Sequence, residues 1–95
     1  MNTNIPENSF LIKEGLYCHE YPMTFGNLSY TVWELFADEN WCFYDLQQPE
    51  NYDEEGNLLP SEKCVHTKYM KMRANQEYVD TNIISIPCEH NYNIV

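Results

Sequence analysis

The sequence predicts a mostly β, or α+β, domain: a small twisted antiparallel sheet or partly open barrel built from hairpins, with room for one short helix. Three observations predict it. Polar and apolar residues alternate with the period of a strand over residues 28–36. Tyr 8, Phe 4 and Trp 2 give a composition suited to pleated, half-buried surfaces. Turn residues recur at short intervals between the apolar runs.

Taken in order, residues 1–8 are polar, contain Pro6, and read as a loose arm ahead of a single domain over 9–95. Residues 10–21 read as a strand bent at Gly15, and 22–27 as a turn. Over 28–36, Leu28, Tyr30, Val32 and Phe36 share one face, and Ser29, Thr31, Trp33 and Leu35 the other. A turn at 37–40 leads to the aromatic strand 41–46, and these strands read as consecutive hairpins. The segment 47–63 breaks the pattern with Pro49, Gly56 and Pro60. Strands over 64–74 and 78–88, turned by 75–77, close the domain. A short helix over 67–77 is the competing reading, because Tyr69, Met72 and Gln76 are spaced for one helical face.

Length allows one domain, with 95 residues and 43% apolar content. Charge is uneven. Residues 1–62 hold twelve acids against Lys13 and sum to −11, while 63–95 hold three acids against four bases and sum to +1, giving −10 in all. Such a field repels free nucleic acid and anionic membranes and attracts basic surfaces. No run approaches the ~18 apolar residues of a membrane span, and the N-terminus lacks the pattern of a secretion signal. The expectation is an intracellular, cytoplasmic chain whose four cysteines are free thiols or metal ligands.

Two stretches, KCVHT (63–67) and PCEHN (87–91), each place a cysteine two residues before a histidine. On a strand these residues share a face, so a hairpin with a three-residue loop sets Cys64 opposite Cys88. Cys64, His66, Cys88 and His90 are then candidate zinc ligands, with both histidines hard to reach at once because their α-carbons lie about 14 Å apart. The spacing lacks the Cys-x-x-Cys pairs of familiar zinc sites, so the expectation is no cofactor, with zinc as the exception. Residues 51–62 also fit the register of a twelve-residue calcium loop, with Asn51, Asp53, Glu55, Gly56 and Glu62 at the expected positions, although the flanks do not read as helices. A solvated hairpin tip explains the same letters.

No glycine-rich phosphate loop, nucleophile elbow or paired catalytic carboxylates are evident, so no enzyme is expected. The reading favoured is a non-enzymatic acidic binding protein that occupies a basic protein surface. A nucleic-acid-binding cleft fits best, with carboxylates standing in for phosphates. Small acidic inhibitors of the anti-restriction and anti-CRISPR kind share this size and charge. Asp38, Glu39, Glu50, Asp53, Glu54 and Glu55 are the candidate contacts, because they fall in predicted turns. The alternatives are a structural or assembly subunit such as a virion component, which would self-associate, and a small zinc-binding module.

Overall fold

The computed structural model describes residues 5–73 and 75–88, together with the backbone of 93 and 94. Its elements are β1 (Phe10–Lys13), β2 (Leu16–Phe25), β3 (Leu28–Ala37), β4 (Trp41–Asp45), β5 (Val65–His66), β6 (Tyr69–Arg73), α1 (Gln76–Asn82), β7 (Ile83–Pro87) and β8 (Asn93–Ile94). Short 3₁₀ turns cover Pro49–Asn51 and Ser61–Lys63. The main sheet has strand order β1-β2-β3-β6, and β4 pairs with β7 in a second, two-stranded sheet. The mostly β, antiparallel architecture is as expected, and the sheet does not close into a barrel.

Strand pairing follows from the turns. Gly15, at φ 81°, closes β1 onto β2. Its missing side chain also makes room for Trp41, because a β-carbon there would overlap the indole. Gly26, at φ 61°, and Asn27 close β2 onto β3, with Phe25 opposite Leu28. A glycine in the left-handed region at the first loop position is the signature of a type II′ hairpin turn. Residues 22–25, expected to be turn, are therefore strand. Counting back from the Phe25–Leu28 pair, the ladder bonds fall at Met23–Tyr30 and Tyr21–Val32. Pro22, which has no N–H to donate, thus faces the open edge of β2, where it interrupts pairing with another strand.

Trp33 and Leu35 share a face, as the alternation predicts, and that face is the inner one, with Leu16 and Cys18 of β2 beside them. Phe43 of β4, Val79 of α1 and Ile83 of β7 pack against that face and complete the core. Lys13 reaches across to donate to the carbonyls of Val79 (3.3 Å) and Ile83 (2.9 Å), ending α1 with a cation where the helix dipole favours one.

The C-terminal half departs from expectation. Asn75 caps α1 by accepting the Tyr78 N–H at 3.1 Å, and Thr81 Oγ1 donates to the Glu77 carbonyl at 2.8 Å. These local bonds make 76–82 a helix, so the expected hairpin of 64–74 with 78–88 does not form, and neither does a helix over 67–77. β6 pairs instead with β3, and β7 with β4. β4 likewise leaves the main sheet rather than extending the run of hairpins.

Candidate functional site

Three features of the surface carry chemistry: the acidic segment after β4, a small cavity at its root, and the outer face of the main sheet.

The acidic segment has no regular ladder, yet three side chains hold it. Asn51 is fully buried. Its Nδ2 donates to the Asp45 carbonyl (2.8 Å) and its Oδ1 accepts from the Val65 N–H (2.7 Å), tying the segment to both flanking strands. Its own carbonyl accepts from Leu59 N–H at 2.9 Å. Asp53 then builds the tip. Its Oδ1 accepts from the N–H groups of Glu55 (2.9 Å) and Asn57 (2.8 Å), while Tyr52 bridges Leu58 and Gly56 takes φ 86°. Tyr52 hydroxyl donates to the Leu46 carbonyl at 2.6 Å, anchoring the near side.

Glu50, Asp53, Glu54 and Glu55 are exposed on this frame. Among the described residues no cation lies within ion-pair distance of any of them; the two ion pairs found both involve Glu34. Asp38 and Glu39 sit elsewhere, in the turn entering β4, at the far end of a five-residue strand. Lys68 donates to the Glu39 carbonyl there at 3.2 Å. The six candidate acids are therefore two groups separated by the length of β4.

The cysteine and histidine candidates are not gathered. Cys88 is disulfide-bonded to Cys42, across 46 residues and with α-carbons 5.4 Å apart. The β4–β7 register explains it: Trp41 faces Pro87, and Cys88 N–H donates to the Asn40 carbonyl at 2.9 Å, setting the two thiols side by side. The expectation of four unlinked cysteines is corrected at this pair. Cys64 is buried and free, and burial, with Glu62 nearby, pushes its thiol up. His66 is buried, its ring set edge-on against Tyr44 at 4.8 Å. Burial holds the imidazole below its ordinary value, against a hydrogen bond to the Cys64 backbone that raises it. His90 lies outside the described residues. Among the described residues no group of three or more His, Cys, Asp or Glu side chains is placed to hold a metal ion. Asn51, the first position of the calcium register, has both side-chain polar atoms occupied inside the protein.

A cavity of about 150 Å³ lies beside this segment, lined by Tyr44, Asp45, Gln48, His66, Tyr69 and Met70 among others. Asp45 ends β4; its Oδ1 accepts from Gln47 N–H at 2.9 Å and its Oδ2 from the Tyr78 hydroxyl. Burial first, and then the Asp45 carboxylate, push the Tyr78 phenol up to about 12.

The outer sheet face brings together residues that no motif joins in sequence. Burial alone would raise the Glu34 carboxyl. Hydrogen bonds from His19 (3.3 Å), Tyr21 (3.1 Å), Tyr69 (3.1 Å) and Lys71 (3.4 Å) outweigh it and hold the group below its ordinary value. Arg73 lies over the Tyr30 ring at 4.5 Å. The strand pairing could have foretold this cluster only with the β3–β6 register in hand, and that pairing spans a gap of more than thirty residues. Beyond it the β2–β3 ribbon exposes Met23, Phe25 and Leu28, with Phe25 76% exposed. No family model, no curated protein and no solved structure matches this chain.

Proposed function

We propose that this chain is a non-enzymatic binding protein whose acidic segment over 49–58 docks on a basic surface of a partner protein. One observation carries the reading. Glu50, Asp53, Glu54 and Glu55 are presented on a frame pinned by Asn51 and Asp53, with no cation among the described residues within ion-pair distance of them. Pre-ordered charge of one sign speeds encounter and selects partners of the other sign. A nucleic-acid-binding cleft is the partner surface whose own ligand has this charge. Asp38 and Glu39, at the other end of β4, form a secondary contact at most.

The test is binding to a panel of purified basic nucleic-acid-binding proteins at rising salt, with a short DNA duplex as competitor. The expected result is binding to a panel member that weakens with salt and is displaced by duplex. Replacing all four residues (Glu50→Gln, Asp53→Asn, Glu54→Gln, Glu55→Gln) should weaken it about tenfold or more and flatten the salt slope. Binding to no member at low salt, or equal binding by the neutralised variant, overturns the reading. The disulfide favours an oxidising setting over the cytoplasm. The redox state of Cys42 and Cys88 in cells separates intracellular from exported partners.

The exposed apolar tip of the β2–β3 ribbon favours a second reading, an assembly subunit. Pro22 at the β2 edge favours packing of ribbon faces over extension of a neighbour's sheet. Self-association at micromolar concentration, lost on Phe25→Ser, supports that reading; a monomer at that concentration removes it.

A further inference from the structure

The cavity beside the acidic segment is too small for a metabolite. At about 150 Å³ it falls well below the roughly 300–1,000 Å³ of small-molecule sites. It is close to the size that accepts a single benzene ring. A site of that volume suits one flat side-chain group, of the kind that anchors a protein interface.

Its chemistry selects the group. Asp45 is the one carboxylate among the lining residues, which include no lysine or arginine. The walls around it include Tyr44, Tyr69 and His66, with His66 favoured in its neutral form by burial. Each Asp45 oxygen accepts one hydrogen bond from the protein and retains a lone pair for another. A carboxylate with two accepting oxygens beside aromatic rings matches a planar guanidinium, which can pair bidentately with the carboxylate and stack on the rings. A lysine ammonium, a strongly hydrated point charge, gains neither.

The cavity's position links it to the acidic segment. Asp45 is followed directly by Leu46, whose carbonyl holds Tyr52, and Gln48 of the lining precedes the Pro49–Asn51 turn that carries Glu50. Tyr69 of the lining is 46% exposed. We infer that this cavity receives an arginine side chain of the basic partner, gripped by Asp45 and stacked between tyrosines, while the loop carboxylates supply long-range attraction. The inference rests on the reading of the acidic segment as a docking surface, but its chemistry is testable without the partner.

The experiment is a titration of ¹⁵N-labelled protein with Nα-acetyl-arginine amide, and separately with Nα-acetyl-lysine amide, followed by amide shifts. The expected result is saturable, millimolar binding of the arginine probe with shifts at residues 44–48 and 65–70. The lysine probe should bind several-fold more weakly. Asp45→Asn should abolish the difference between the probes, and Tyr69→Phe, which keeps the ring, should leave arginine binding in place while Tyr69→Leu weakens it. The variant neutralised at Glu50, Asp53, Glu54 and Glu55 should still bind arginine at the cavity. Equal shifts from both probes scattered over the acidic segment, or no saturation, overturn the inference. If the cavity binds arginine and no basic protein binds the chain, the docking reading fails and the cavity stands. If a basic protein binds equally to Asp45→Asn, the cavity fails and docking stands.

Discussion

The β2–β3 ribbon and the segment between β4 and β5 both project from the core, and they are held in opposite ways. The ribbon runs in unbroken register from Leu16–Ala37 to Phe25–Leu28. Its residues 21–33 carry no charged side chain. Its order is spread over a ladder of backbone bonds. The segment over 46–64 has one isolated bridge and two 3₁₀ turns, and it carries much of the acid. Its order is concentrated in Asn51 and Asp53. Charge and regular pairing thus divide between the two regions, so the segment can be released by a single substitution and the ribbon cannot. The Cys42–Cys88 disulfide sharpens the contrast, because the loop it closes contains the segment and leaves the ribbon outside.

The largest expected effect comes from that disulfide. Closing a loop of 46 residues is worth about 4 kcal/mol in chain entropy. Cys42→Ala with Cys88→Ala should lower stability by up to that amount in urea unfolding. Hydrogen exchange should rise first inside 42–88 and last in the ribbon; equal loss of protection in both breaks the comparison. Next is Asn51→Ala, which leaves the Val65 N–H and the Asp45 carbonyl without their partner. A cost of about 2–4 kcal/mol is expected. Faster exchange at 46–64 with an unchanged ribbon is the signature to measure.

A third test uses pH. His66 has its folded pKa held below the ordinary value of 6.5, so the unfolded chain binds the proton more readily. Its contribution to stability is complete above pH 6.5 and declines as pH falls below it toward the folded pKa. Asp45 lines the same cavity as His66. Unfolding at pH 7.5 and 5.5 should show a loss that His66→Phe reduces; an undiminished slope would place the titration elsewhere. The smallest effect belongs to the ribbon tip. Phe25→Ser should change stability by less than about 0.5 kcal/mol, since the side chain is 76% exposed. A larger loss in dilute monomer would show that the tip packs within the chain in solution.

Much of the fold was legible where local pattern decides it. The alternation over 28–36 grouped the residues of β3 by face, without saying which face is inner, and Gly15 and the acidic hairpin tip at 55–57 were visible as turns. What was not legible depended on partners far away in the chain. β4 pairs with β7 rather than with β3, a choice set by Phe43 and Ile83 meeting in the core. The strand expected over 78–88 begins as a helix because Asn75 caps it, and a single asparagine reads equally well as a turn. That one misreading carried the expected Cys64–Cys88 pairing with it and hid the bond from Cys88 to Cys42. Asp45 went unnoticed as a site residue because it lies within an aromatic strand, and only the fold puts Tyr69, Met70 and His66 around it.

The two free cysteines divide between the regions just compared. Cys18 lies in β2 against the core, and burial followed by Glu20 pushes its thiol up to about 12. Cys64 lies at the end of the acidic segment, also buried, its Sγ donating to the Leu59 carbonyl at 3.6 Å. Neither reacts with an alkylating reagent until its surroundings open and the thiolate forms. The protein therefore carries two internal clocks. Alkylation at Cys64 times the opening of the segment, and alkylation at Cys18 times the loss of the whole sheet.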